Sequence, residues 1–286
     1  MRDAQASARG RAPSASFWLA TFLAVAALLA AARLELFATL HALGNVEGEL
    51  LARFAAAAFT PALEYESSVP AGTMPLYWKV LEGLRATLGF ALAGLSLALL
   101  FGLPLGVLCA RSTWRSEARG AFSTAARALW FASRALAVGL RSVHELLWAA
   151  LFLAALGASP LAAAVALALP YAGTLAKVFS ELLDEADERA VRALEHGGAA
   201  RWQSFVAARL PGALPDLTVY AFYRFECALR SAAVLGFFGV PTLGLYIAQA
   251  FENQHLRELW TYLYALLLLV LAAERWSGAL RRRLSA

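Results

Sequence analysis

AVRALEHGGAARWQSFVAARLPGALP, Ala190 to Pro215, decides the fold because it breaks an otherwise apolar chain. It carries charges, paired glycines and two prolines, with long apolar runs on both sides. The whole chain of 286 residues is 60% hydrophobic and 16% charged, with a mean hydropathy of +0.60. An average soluble domain has about 25% charged residues. Recurrent runs long enough to cross a bilayer make this an all-α polytopic membrane protein. A β-barrel needs short alternating segments, and none occurs here. The polar stretch is therefore a loop between two crossings.

Moving outward from it, Pro160 to about Leu183 and Leu217 to Leu235 are the flanking spans. GASP (157–160) joins the former to a helix over about 122–156, in which Arg127, Arg134 and Arg141 recur every seven residues on one stripe. Charges so spaced must meet protein, water or headgroups. Glu82 to Ala110 is another span, and Arg111, Arg115 and Arg119 follow it at once. Residues 40–81 read as an external segment: a short amphipathic helix in EGELLARFAAAAF, then a proline-rich loop. Phe17 to Ala32, after Arg2, Arg9 and Arg11, resembles a signal peptide but is expected to be a retained helix, since further spans follow. His255 to Trp276 contains the last span, before Arg281, Arg282 and Arg283. The count is about six transmembrane helices. Arginine bias places the amino terminus and the quoted loop in the cytoplasm, leaving Arg53, Lys79 and Arg257 outside. The chain divides into 1–39 (amino terminus and first span), 40–81 (periplasmic) and 82–286 (core), with a cytoplasmic loop at about 184–212. The net charge of +5 follows from this bias and does not call for nucleic acid. Cys109 and Cys227 lie in apolar segments and form no disulfide framework.

Within the loop, ELLDEADERAVRALEH favours a helix that Gly197-Gly198 ends. AARWQSFVAARLP restarts as a short amphipathic helix with Trp202, Phe205 and Val206 on one face. Pro211 and Pro215 are expected to fix the turn back into the membrane. An apolar ridge among charges suits a partner protein.

The loop resembles the cytoplasmic signature of ABC importer permeases: Glu-Ala-Ala, three residues, Gly, nine residues, an aliphatic, one residue, Leu-Pro. Here it falls on Arg192-Ala193-Leu194, Gly198, Ala208 and Leu210-Pro211, with every spacing kept. ATLGFALAGLSLALLFGLPLGVLCARS, RSVHELLWAALFLAALGASPLAAAVALAL and YRFECALRSAAVLGFFGVPTLG are similar to the phosphonate-type subfamily, over about residues 82–283. The resemblance implies a type I ABC importer permease in the bacterial inner membrane, with a coupling helix seated on a separate ATPase. It implies a homodimer with two ATP-binding cassette subunits and a periplasmic substrate-binding protein, and a phosphonate, phosphite or related oxyanion as cargo. No cofactor is expected in this chain, ATP and Mg belonging to the ATPase, because Lys79 and Lys177 stand in no phosphate-binding loop. The match is divergent. Arg192 replaces the signature glutamate, with Glu188 or Glu195 as candidate substitutes. His144 stands where the subfamily has proline, and GVPTLG replaces a glycine-richer turn.

YRFECALRS places Arg224, Glu226 and Arg230 inside a span, where charges face a cavity or one another. Glu226 and Arg230 are spaced for an intrahelical pair. Alternatively Arg224 or Arg230 meets an oxyanion along a translocation path shared with Ser231, Arg141 and Ser142. His144 and Glu145 read as a satisfied pair rather than a proton relay. Gly236, Gly239 and Gly244 form a flexible turn that serves as a candidate gate. No metal-ligand cluster and no nucleophile with an oriented base is legible, which argues against an intramembrane enzyme. A scaffold leaves the intramembrane charges without purpose, and an ion-driven carrier lacks an inverted repeat.

Overall fold

The computed structural model describes residues 15–33, 48–114, 124–157 and 159–284. Arg2, Arg9, Arg11, Arg115 and Arg119 lie outside them. The chain divides into two units, Met1–Ala56 and Ala57–Ala286. In the first, helix α1 (Ala15–Arg33) bears exposed Phe22, Val25, Leu28 and Leu29, and α2 (Gly48–Phe59) begins its course. Every regular element among the described residues is helical.

The core of the second unit is a close pair. Helix α3 (Leu76–Cys109) begins at Leu76 rather than Glu82, because Pro75, in an extended conformation, opens it and accepts the first amides through its carbonyl. Gly94, Ala98, Gly102 and Gly106 recur every four residues and form one small-residue stripe. Against it lies α6 (Pro160–Glu185), so closely that a Cβ at Gly94 would stand 2.9 Å from Leu167 Cβ, and one at Gly102 3.1 Å from the Ala172 carbonyl oxygen. Ser159 caps α6 by accepting from the Ala162 amide. α6 is the central helix, with 67% of its most apolar stretch buried.

Residues 122–156 are not one helix. α4 (Thr124–Ser142) and α5 (Glu145–Leu156) meet at a bend of 83°. His144 stands at φ −64°, which proline also adopts, and its Nδ1 accepts from the Leu146 amide as the N-cap of α5. The arginine stripe on α4 therefore splits. Arg134 donates to the Cys109 carbonyl at the end of α3 and lies over the Trp130 ring, whereas Arg141 reaches the bend.

After α6 the chain breaks at Ala186 and resumes as α7 (Glu188–His196), capped by Asp187. Gly198, at φ +88°, ends the turn. α8 (Arg201–Ser204) then continues through a π-helical turn (Phe205–Arg209) into α9 (Leu210–Val234). The prolines therefore do not make the expected turn. The Leu210 amide bonds five residues back to Phe205, and Pro211, with no N–H to place, sits where the π register ends. A 3₁₀ turn (Leu235–Phe238) leads into α10 (Leu243–Glu252), bent 47° from the preceding helix, and α11 (Leu256–Leu284) closes the chain.

α3, α6 and α11 are each long and apolar enough to cross a membrane. The two bent pairs raise the number to as many as five, and α1 carries a further, shorter apolar stretch at Thr21–Ala32. The last turn of α2 and the segment after it are tied to α11: Tyr264 donates to the Ala58 carbonyl, and Glu66 and Glu258 exchange amide-to-carboxylate bonds at 2.7 and 2.8 Å.

Candidate functional site

A cavity of about 330 Å³ opens where the α4–α5 bend meets α6 and α9. α4 and the bend contribute Arg141, His144 and Glu145. α6 contributes Pro170, Tyr171 and Thr174; α9 contributes Arg224, Cys227, Arg230 and Ser231. Pro170 to Thr174 lie about 15–21 Å along a helix about 39 Å long, close to its middle. Irregular backbone at that depth is tolerated only where it is covered by protein or lines a polar cavity. The α4–α5 break does the latter.

The local chemistry follows from who donates. The Ser231 hydroxyl donates to Glu145 Oε1 at 2.8 Å, so its single proton is spent. The Tyr171 hydroxyl, 2.9 Å from Ser231 Oγ, must then be the donor in that bond. The chain Tyr171→Ser231→Glu145 leaves no hydroxyl proton for a ligand. His144 Nδ1 is an acceptor, and its Nε2 stands 3.7 Å from Glu145 Oε2, beyond hydrogen-bond distance. Donors for a ligand come instead from the guanidinium groups and from His144, whose Nε2 carries the proton when Nδ1 accepts. Arg224 lies over the Tyr171 ring at 5.2 Å and the Tyr220 ring at 5.8 Å, with its buried Nε unbonded among the described residues. Arg141 and Arg230 enter no ion pair among the described residues, and Arg230 is exposed.

Of the six residues expected on a translocation path, the structure gathers Arg141, Arg224, Arg230 and Ser231 around this cavity. Ser142 is not among its lining residues; its hydroxyl bonds the Gly139 carbonyl. Glu226 points away. It is buried, and Arg281 of α11 reaches it at 3.1 Å, so its partner is Arg281 and not Arg230. Side chains four apart on a helix can meet, but here Arg230 turns to the cavity while Glu226 turns to α11. Tyr171 and Thr174 escaped the sequence reading. Their only signal is a proline and polar-tipped side chains interrupting an apolar run, PYAGT at 170–174.

The glycine turn is closely packed. A Cβ on Gly236 would stand 2.0 Å from the Leu245 amide nitrogen, and one on Gly244 1.9 Å from the Ala233 carbonyl oxygen. Gly239 holds φ +87°, a left-handed conformation that favours glycine. Thr242 pins the elbow by donating to the Ala233 carbonyl, and the Leu243 amide donates to Thr87 of α3.

At the other end of α6 the signature-like loop is held from within. Arg209, 6% exposed, donates to the Leu183 carbonyl at 2.9 Å and lies 4.0 Å from Glu188, which Arg192 also approaches at 3.5 Å. Asp184 accepts from the Arg111 and Ser112 amides. Ala193 and Leu194 precede the Gly197-Gly198 turn, and their carbonyls accept from Gly197 and Ala199. Trp202 (68% exposed) and Val206 (53%) stand out from this frame, whereas Phe205 is half-buried against the core, as is Leu210. Among the described residues, no group of three His, Cys, Asp or Glu side chains is placed to hold a metal ion.

Residues 102–286 match the family described as the binding-protein-dependent transport system inner membrane component. The chain is 31% identical over 207 residues to the phosphite transport system permease protein PtxC of Stutzerimonas stutzeri, covering 72% of this chain and 71% of that one. It is 28% identical over 198 residues to the phosphate-import permease protein PhnE of Mycolicibacterium smegmatis; the match covers 69% of this chain but only 35% of that protein. In fold it is similar to the MetNI methionine ABC transporter solved in inward-facing conformations, with a TM-score of 0.63 at 22% identity, covering 74% of this chain and 99% of that one. The chain belongs to the family of inner-membrane components of binding-protein-dependent transport systems, and is a multi-pass transport subunit rather than an enzyme.

Proposed function

We propose that the chain is the permease subunit of an ATP-driven importer for phosphite, phosphonate or a related oxyanion, with the α4–α6–α9 cavity on the translocation path. The observation that carries this is the convergence of Arg141, Arg224 and Arg230, from two helices, on one mid-depth cavity where no described carboxylate pairs with them. Three guanidinium charges facing a single carboxylate at such depth are costly, so the fold bears the excess where an anion passes. Guanidinium groups suit tetrahedral oxyanions through paired N–H donors. The names of the phosphite and phosphate permeases among the relatives agree with this chemistry.

The working assembly holds a second copy of this chain, two ATPase subunits that bring ATP and Mg, and a periplasmic substrate-binding protein. The amino terminus lies in the cytoplasm. The exposed Trp202–Val206 ridge meets the ATPase, and the α6–α7–α9 joint around Arg209 carries its motion to the cavity. The test is ATP-driven uptake of radiolabelled phosphite into vesicles holding the full complex. Arg230→Ala should abolish uptake while the ATPase still copurifies; normal uptake in that variant removes the cavity from the path.

A further inference from the structure

The cavity contains one group that a simple anion hole would exclude. Glu145 sits among three arginines yet forms an ion pair with none of them. Its Oε1 is satisfied by Ser231, whereas Oε2 faces only His144 Nε2, at 3.7 Å: an ion pair when that imidazole is protonated, but no hydrogen bond. The groups facing it are Arg141 from α4, His144 at the bend, Tyr171 from α6, and Arg224, Cys227 and Arg230 from α9. Tyr171 has spent its proton on Ser231, and His144 Nε2 stands too far away. An ionised carboxylate can only accept hydrogen bonds, so the open Oε2 fits a ligand that brings its own proton.

We infer that Glu145 makes the cavity select oxyanions that still carry a hydroxyl proton over fully deprotonated anions of similar size. This rests on the oxyanion path proposed above and adds a specificity residue to it. A singly protonated phosphonate or phosphite presents oxygens to the guanidinium groups and one P–OH to Glu145. Sulfate offers no proton, so its oxygens and the carboxylate repel across the same gap. Three guanidinium charges against one carboxylate keep the cavity attractive to anions in general. The carboxylate decides among them, because a buried polar group left unpaired is penalised more than a good pair is rewarded.

The test uses the permease–ATPase complex in nanodiscs without the periplasmic receptor, so that the receptor's own selectivity does not enter. Binding of radiolabelled methylphosphonate and radiolabelled sulfate is measured below the second pKa of the phosphonate. Wild type should prefer methylphosphonate by about tenfold or more, as expected for a hydrogen bond to a charged group. Glu145→Gln keeps an acceptor for Ser231 and should lose most of that preference, chiefly by gaining sulfate binding. Wild-type methylphosphonate binding should also weaken as pH rises through the ligand's second pKa, and the variant's should weaken less. If wild type binds neither anion, the oxyanion path and this inference fall together. If wild type binds both equally, the path stands and the role of Glu145 falls. A preference kept intact by Glu145→Gln, in a complex that still copurifies with its ATPase, likewise removes Glu145.

Discussion

Replacing Arg281 with methionine should destabilise the protein mainly through what it leaves behind. Arg281 Nη2 lies 3.1 Å from Glu226 Oε1, and the Glu226 side chain is only 6% exposed against 31% for Arg281. At an effective dielectric constant of about 20 the direct attraction at this distance is about 5 kcal/mol, which water around the arginine reduces. Removing the arginine strands a buried carboxylate, at a cost of about 3 kcal/mol. Removing the carboxylate by Glu226→Gln strands only a guanidinium that can still reach water, at about 1–2 kcal/mol. The double variant should then cost less than the sum of the singles, with a coupling of about 2 kcal/mol. A parallel cycle between Glu226→Gln and Arg230→Ala should couple by less than about 0.5 kcal/mol. Equilibrium unfolding of the purified complex in mixed micelles gives all of these values. Stronger coupling of Glu226 to Arg230 than to Arg281 would refute the assignment and restore the intrahelical pair.

Two further outcomes follow from packing and exposure. Gly236→Ala should lower the unfolding midpoint by several degrees, because its Cβ meets main chain on α10 and overpacking costs about 1–3 kcal/mol. Gly212→Ala, with nothing within 4 Å of its Cβ, should leave the midpoint unchanged or slightly raised; equal midpoints for the two variants would contradict the packed elbow. Trp202→Glu combined with Val206→Glu should leave the midpoint of the isolated permease unchanged and abolish ATPase copurification. Retained copurification would free that ridge of a docking role. Phe205 is a poorer probe, because its substitution also disturbs the core.

Hydropathy alone found the long apolar helices, three to five candidate spans among the described residues against about six expected, because a bilayer admits only long apolar helices with every backbone bond satisfied internally. Spacing alone found the loop between α6 and α9, including the glycine that ends α7, because a left-handed residue at Gly198 is a local requirement. Intramembrane arginines announced a polar cavity for the same energetic reason. Other features depended on contacts between distant residues. The 83° break at Val143-His144 has neither glycine nor proline to mark it. Pro211 read as a turn, yet a π turn carried the helix through it.

Sequence by itself thus determined the class of protein, the approximate crossings and the residue types that the cavity uses. Only tertiary structure decided that Glu226 pairs with Arg281 of α11, that Gly236 and Gly244 sit against main chain, and that Glu145, Tyr171 and Ser231 form one directed chain. The physical reason is that period and hydropathy report what each residue requires of its surroundings. Which side chain meets that requirement depends on helix rotation and close approach, settled when small-residue stripes such as Gly94–Gly106 bring backbones together.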